Sequence, residues 1–273
     1  MEDEMIEELR NFNSYVWLPT RVETQLQIKT EDFKQDRFGA RSRLNLIRNT
    51  LSGLKVGKVV DLAGHSGYFS LELLDAGTVS ESVVYDINDE VLRFGERLAM
   101  RMDLQDAIKF VKKDLRLDNI ADLPDADLAL CLNLIHHAGT LFDRDAVATL
   151  GWGKYATQYL SVLRTKYRYA IVGVGFKSRH PASWPVFKPL RPLYFCDIIA
   201  KSGWRLIYDA NIYDLATFGE EEASGLRTRR SARIRLAQLM SAIVGHRASN
   251  AVYDRFRKPH ASKLNKYHIF ILS

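Results

Sequence analysis

"VVDLAGHSGYFSLELL", residues 59 to 74, begins with apolar β-branched residues, reaches an acid at Asp61, passes two glycines at Gly64 and Gly67, and runs on into an apolar stretch. Strand, tight turn and helix follow one another here, as in the first unit of a βαβ crossover. The residues downstream repeat the pattern. "SVVYDI" (82–87), "AIKFVKKDL" (107–115), "ADLALCLNLI" (126–135) and "YRYAIVGVGF" (167–176) have the composition of strands. Between them, "NDEVLRFGERLAMRM" (88–102) is an amphipathic helix that Asn88 or Asp89 can cap, and "RDAVATLGWGKYATQYLSVLRT" (144–165) reads as one long helix. "RPLYFCDIIAKSG" (191–203) is a helix with a glycine stop, "WRLIYDANIYDL" (204–215) a sixth strand, and "KYHIFILS" (266–273) a terminal strand with no helix after it. The expected fold class is α/β, a doubly wound, Rossmann-like, mostly parallel sheet with helices on both faces.

A chain of 273 residues, 47% hydrophobic, can bury a sizeable core within one elaborated domain. Residues 1–45, with Met5, Ile6 and Leu9 on one helical face, are expected to form a helical appendage or lid, and 46–273 the sheet domain. A helical insertion is expected at about 216–265, where Leu236, Leu239, Met240, Ile243 and Val244 recur at helical spacing. The longest apolar runs fall far short of the roughly 20 residues that cross a bilayer. "MEDEMIEELR" is too acidic for a secretory leader, so cytoplasmic residence is the expectation. The two cysteines, Cys131 and Cys196, read as buried, reduced thiols, and no metal site is expected. A net charge of +6 permits anionic partners without requiring them. The arginine run "GLRTRRSARIR" (225–235) is either a polyanion site or is neutralised by the neighbouring "EEE" (220–222). Oligomeric state is not legible.

The turn and its acid bear on the ligand. A dinucleotide fingerprint places glycines where the backbone must approach a pyrophosphate. Here only Gly64 and Gly67 remain, and the Asp61 carboxylate opposes a diphosphate in a partly desolvated cleft. A cofactor without phosphates fits better. S-adenosylmethionine carries a sulfonium and an ammonium that an acid welcomes. Asp86, closing the second strand, is placed to accept both ribose hydroxyls, and Asp114, closing the third, lies near an adenine amino group. Three acids at three successive strand ends would line the sheet edge where ligands of this architecture bind.

"DLAGHSGYFS" resembles the first motif of the class I S-adenosylmethionine-dependent methyltransferases, which commonly runs acid, apolar, Gly, Cys, Gly, Thr, Gly. Ala63 and His65 stand where glycine is usual, and Gly64 where cysteine is frequent. The resemblance covers roughly residues 45–215 and the final strand. It implies a seven-stranded sheet with an antiparallel last strand and S-adenosyl-L-methionine as cofactor. It also implies that Asp61, Ala63, Gly64 and Gly67 hold the methionine portion, Asp86 the ribose, Asp114 with Leu115 the adenine, and that Asn133 touches the cofactor. The altered turn leaves open a non-catalytic protein that keeps the fold.

"CLNLIHHAG" (131–139) leaves the fourth strand at the same edge. In the family this position faces the transferred methyl, and His136 or His137 is a candidate base for a hydroxyl acceptor, or else packs against cofactor or backbone. An anionic acceptor needs no base. Lys177 and Arg179, with His180, either fix such an anion or form a solvated loop. Trp17, Arg37, Arg41 and Arg43 either close over the acceptor or anchor the N-terminal segment. More loosely, the chain resembles methyltransferases that cap the terminal sugar or phosphate of bacterial surface polysaccharides, and enzymes that modify wobble uridine in transfer RNA. The basic residues are local and interleaved with acids, unlike a continuous nucleic-acid track. The expected reaction is therefore O-methylation of a hydroxyl or phosphate on a glycan, phosphosugar or small metabolite, with a tRNA-modifying methyltransferase as the alternative.

Overall fold

The computed structural model describes residues 2–12, 16–32, 39–175, 192–211 and 267–273. The strands are β1 (Lys58–Leu62), β2 (Glu81–Asp86), β3 (Ile108–Lys112), β4 (Ala126–Cys131), β5 (Tyr167–Gly175), β6 (Leu206–Asn211) and β7 (Tyr267–Leu272). They form one sheet in the order β3-β2-β1-β4-β5-β7-β6. Pairing is parallel from β3 through β5, and β7 lies antiparallel between β5 and β6, as expected. The order reverses at β1 and β4, so their carboxyl ends flank the crevice in which such sheets bind ligands.

Alternation along the strands divides the core into two faces. Val59, Leu128, Leu130, Ile171 and Ile269 face one layer. Helices α4 (Tyr68–Asp75) and α5 (Asp89–Arg101) cover it with Leu71, Leu74, Phe94 and Leu98. Val60, Ala129, Cys131, Val172 and Phe270 face the other, against α7 (Trp152–Lys166) and α8 (Pro192–Lys201), which contribute Tyr155, Tyr159, Phe195 and Ile199. Both cysteines are buried, and they are not joined in a disulfide. The Asn88 side chain caps α5 by accepting from Glu90 N at 3.0 Å, which settles the choice between Asn88 and Asp89.

Three expectations are corrected. Residues 144–165 are not one helix: Gly151, at φ 75° and ψ 145°, separates α6 (Arg144–Leu150) from α7. This backbone conformation is ready for glycine and strained for anything with a Cβ, so the chain turns there. Strand β3 stops at Lys112, leaving Asp114 exposed in the following loop rather than at the strand end. Strand β4 stops at Cys131, and His136 and His137 sit on a 3-10 turn over Ile135–His137.

The N-terminal residues form α1 (Glu2–Asn11), α2 (Thr20–Leu26) and α3 (Ala40–Leu51), the last running unbroken through positions 45 and 46. Met5, Leu9, Val16, Leu18 and Val22 join the first core layer. Polar contacts add specificity. Glu72 on α4, 1% exposed, accepts from Thr20 through its backbone N–H (2.6 Å) and hydroxyl (2.7 Å), and from Arg48 on α3 (2.6 Å). A buried carboxylate with three donors of this kind is offset against its desolvation cost. Arg21 reaches the Met102 carbonyl at 2.8 Å beyond α5. Trp17 is buried beside Tyr68, Arg41 lies over its ring and bonds Glu23 at 2.6 Å, and Arg43 lies over Phe69. Trp17, Arg41 and Arg43 thus make anchoring contacts. Arg37, and the insertion expected at about 216–265, lie outside the described residues.

Among the described residues no helix is long and apolar enough to cross a membrane, and no group of three or more His, Cys, Asp or Glu side chains is placed to hold a metal ion.

Candidate cofactor and active site

The turn after β1 keeps a glycine-type backbone without glycine's sequence. Ala63 (φ 55°), His65 (φ 57°) and Gly67 (φ 73°) all take left-handed conformations. These are the three positions at which the resembled motif carries glycine. For Ala63 and His65 the conformation costs on the order of 1 kcal/mol or more each, which tertiary contacts must offset. One such contact is visible: His65 N donates to Asp86 Oδ2 at 3.0 Å. Gly64 is fixed by a different demand. A Cβ there would fall 2.5 to 2.8 Å from the Asp61 carboxylate, so the turn lies directly on that acid.

Asp61 is 2% exposed and accepts from Ser70 Oγ at 3.0 Å. Ser70 in turn accepts from Ser82 Oγ at 2.9 Å. Burial pushes the Asp61 carboxyl up to about 7, the Ser70 bond and the Arg43 charge opposing and the Asp86 charge adding to the rise. Without a neighbouring cation Asp61 is therefore about half ionised at neutral pH, and its repulsion of a diphosphate is weaker than the sequence alone implies. A cation above the turn draws out the charged form.

Asp86 ends β2 and ties two loops together, with Oδ2 on His65 N and Oδ1 on Asn88 N at 2.9 Å. Each carboxylate oxygen keeps a further lone pair, which is what a vicinal diol requires. Leu115 is buried, while Asp114 offers its backbone carbonyl to Asn119 Nδ2 at 2.9 Å. The loop that carries them is secured by Asp143, whose Oδ2 accepts from Leu117 N (2.7 Å) and from the Tyr155 hydroxyl (2.6 Å). Asn133 is half-buried just beyond β4.

The histidine pair lies beyond the same strand, with ring centroids 4.2 Å apart. His136 is 5% exposed, and its ring is hydrogen-bonded to the Gly173 backbone in β5. Desolvation, then the neighbouring His137, holds it neutral, well below the ordinary imidazole value. His137 is partly exposed, and burial lowers it as well. Trp152 Nε1 donates to the Ile135 carbonyl (3.3 Å), and Thr140 and Leu141 N donate to the His137 carbonyl (3.1 and 3.0 Å), fixing this turn. Lys177 and Arg179 lie outside the described residues.

The carboxyl ends of β1, β2 and β4 therefore bring Asp61, Asp86 and the histidine turn to one edge of the sheet, with the Asp114–Leu115 loop at the end of β3 beside them. Sequence reading missed Ser70, Ser82 and Asp143. Ser70 left one signal, a polar residue within the apolar run "YFSLELL". Asp143 left none, because its partners are 26 and 12 residues away.

The chemistry of these residues is compatible with S-adenosylmethionine: Asp86 has an acceptor site left on each oxygen for a diol, and a buried acid, Asp61, lies against a turn with left-handed backbone. No protein-family model matches the chain, and no curated protein sequence matches it. Solved structures do. The bifunctional kinase-methyltransferase WbdD is 20% identical with a TM-score of 0.55 over 78% of this chain and 43% of that one. Monomeric WbdD gives 23%, 0.53, 74% and 45%. A SAM-dependent methyltransferase from Thiobacillus denitrificans, in complex with S-adenosyl-L-homocysteine, is 14% identical with a TM-score of 0.50 over 94% of this chain and 99% of that one. The chain spans less than half the length of the WbdD chains it matches. Sheet order, antiparallel β7 and these likenesses agree: the chain has the fold of the S-adenosylmethionine-dependent methyltransferases.

Proposed function

We propose that the chain is an S-adenosylmethionine-dependent methyltransferase that methylates an oxygen, a hydroxyl or phosphate, on a glycan, phosphosugar or small metabolite. The observation that carries this reading is Asp86. Its two oxygens are each held by a backbone N–H and each retain an acceptor site, beside a turn that preserves left-handed geometry at Ala63, His65 and Gly67. Left-handed backbone at two non-glycine residues is local strain of the kind that clusters at ligand sites, which supports the reading.

The cofactor, when bound, supplies a methyl group made electrophilic by its sulfonium. Asp86 orients the ribose, and Leu115 offers an apolar contact to the adenine, with Asp114 beside it. Ala63, Gly64 and Gly67 shape the turn against the amino-acid portion, and Asp61 beneath it stabilises positive charge. Asn133 lies along the same crevice. His137, partly exposed and kept towards the neutral form by burial, would take the proton of an acceptor hydroxyl. His136, deeper and bonded to Gly173, holds the turn. Lys177 and Arg179 are assigned to an acceptor anion on charge and position in sequence alone. The described residues of the N-terminal segment anchor it to the sheet domain.

Calorimetry tests the cofactor. S-Adenosylmethionine and S-adenosylhomocysteine are expected to bind and NADH is not; binding of NADH alone would end the proposal. Glycan, phosphosugar and tRNA acceptors, each offered with labelled cofactor, then separate the substrate classes, tRNA being marked by a steep loss of affinity with salt.

A further inference from the structure

Two serines lie in line behind Asp61. Ser82 opens the buried part of β2 and is 2% exposed; Ser70, on the inner face of α4, is 0% exposed. Ser82 Oγ donates to Ser70 Oγ at 2.9 Å, and Ser70 Oγ donates to Asp61 Oδ2 at 3.0 Å. A serine hydroxyl has one proton, so once Ser70 spends its own on Asp61 it can only accept from Ser82. The chain of donors is therefore directional and ends on the carboxylate. Two hydroxyls in an apolar layer contribute little stability unless they bond each other, and a carboxylate in the same place needs a donor.

We propose that Ser70 and Ser82 are positioning residues that form a hydroxyl relay, favouring the ionised form of Asp61 and aiming it beneath the turn, so that cation binding there depends on side chains that never touch the ligand. This rests on the methyltransferase reading for the identity of the cation, but not for the relay itself. Among the described residues, Ser70 from α4 bonds Asp61, the charges of Asp86 at the end of β2 and Arg43 from α3 act on it, and its own charge acts on Cys131 from β4. Asp86 opposes ionisation and Arg43 favours it, and the buried Cys131 thiol, pushed up to about 12, stays neutral. The Ser70 hydroxyl bonds the Asp61 carboxylate directly. Its loss moves the balance towards the neutral acid, because a donor to a charged group stabilises the charged form more than the neutral one.

The test has two arms. Carbon-13 NMR of the Asp61 carboxyl in the ligand-free protein reads its titration directly. Wild type is expected to titrate near neutrality, Ser70→Ala about one to two pH units higher, and Ser82→Ala by a smaller step in the same direction. The double variant should match Ser70→Ala alone, since Ser82 acts only through Ser70. In the second arm, S-adenosylmethionine affinity is measured from pH 6 to 9. Ser70→Ala is expected to bind roughly fivefold or more weakly at pH 7 and to recover towards wild type at pH 9. The ligand's own ammonium titrates in both proteins and cancels in the comparison, and Asp61→Asn gives the profile without the acid. Equal carboxyl midpoints in wild type and Ser70→Ala overturn the relay. Shifted midpoints without cofactor binding at any pH leave the relay standing and overturn the methyltransferase reading instead. If Ser70→Ala does not fold, Ser82→Ala carries the same comparison, and an unmoved midpoint there overturns the proposal.

Discussion

The two loops that meet at the sheet edge are stabilised by different means. The turn after β1 is built from polar contacts and backbone strain: Asp86 on His65 N, Ser70 on Asp61, and left-handed residues at 63, 65 and 67. The turn after β4 is built from burial, with His136 inside the domain and the indole of Trp152 donating to the Ile135 carbonyl. One loop keeps charge available at the edge, and the other keeps imidazoles neutral. In the proposed reaction, methyl transfer to a hydroxyl would use both, an acidic surface for a cation and an uncharged base for a proton.

The largest expected effect breaks the comparison on the β4 side. His137→Ala should lower kcat by about 10²- to 10⁴-fold with little change in cofactor affinity, if the acceptor is a hydroxyl. Because burial lowers the His137 value, wild-type kcat should be flat through pH 7 and fall only below the ordinary imidazole value of 6.5. Substituting His136 should instead lower stability. A His137→Ala enzyme with unaltered kcat would identify an acceptor that is already anionic.

Next comes the packing of the β1 turn against α5. Gly95 on α5 lies against the β1 turn: a Cβ there would stand 2.4 Å from the Phe110 ring and 2.7 Å from the Ser66 carbonyl. Gly95→Ala should cost about 1–3 kcal/mol by overpacking, read as a lowered urea midpoint, and weaken cofactor binding by displacing Ser66. Asp86→Ala should weaken it by a similar about 1–3 kcal/mol by leaving ribose hydroxyls unpaired, without moving the urea midpoint as far. Equal cofactor affinity in Asp86→Ala and wild type would remove the ribose contact.

The pH dependence of stability sharpens the contrast, since the two buried groups act in opposite directions. Asp61 has its native value raised from 3.8 to about 7. Its contribution to stability is fully present below pH 4 and is lost as pH rises to about 7, on the order of 3–4 kcal/mol in the ligand-free protein. His136 has its native value depressed, so its contribution is present above 6.5 and is lost as pH falls below that. Urea titrations of wild type, Asp61→Asn and a His136 variant across pH 4 to 8 should resolve two limbs of opposite slope. Asp61→Asn removes the limb that descends towards neutrality.

The legibility of the two loops also differs. Strands β1, β2 and β5 and the acids at 61 and 86 stand in the sequence because a parallel sheet buried on both faces demands continuous apolar runs that stop where the edge begins. The Gly151 break was written as "LGWG" but lost within an otherwise helical period, since one glycine interrupts a helix only when its backbone leaves the helical region, which composition does not report. Asp114 looked like a strand end because "KFVKKDL" continues in β composition past Lys112, where pairing with β2 ends. The contacts of Thr20 and Arg48 with Glu72 join residues 52 and 24 positions apart and depend on tertiary placement of the N-terminal segment. Ser70 and Ser82 read as ordinary polar residues until the fold sets them in line.

The smallest effect concerns the strain in the β1 turn. Ala63→Gly relieves a left-handed alanine that costs on the order of 1–2 kcal/mol, but also frees the unfolded chain by about 0.4–1 kcal/mol, so a net gain below about 1 kcal/mol is expected. His65→Gly should gain less, because histidine tolerates the left-handed region better than alanine does and its backbone bond to Asp86 is kept by either residue. Urea midpoints of the two variants, with and without S-adenosylhomocysteine, separate strain from ligand contact. If the turn serves the cofactor through its backbone alone, both glycines leave ligand stabilisation unchanged while raising the ligand-free midpoint. If Ala63→Gly instead raises the ligand-free midpoint but lowers the ligand stabilisation, its methyl group packs on the ligand, and the residue that stands in glycine's place is retained for what it touches rather than tolerated for what it lacks.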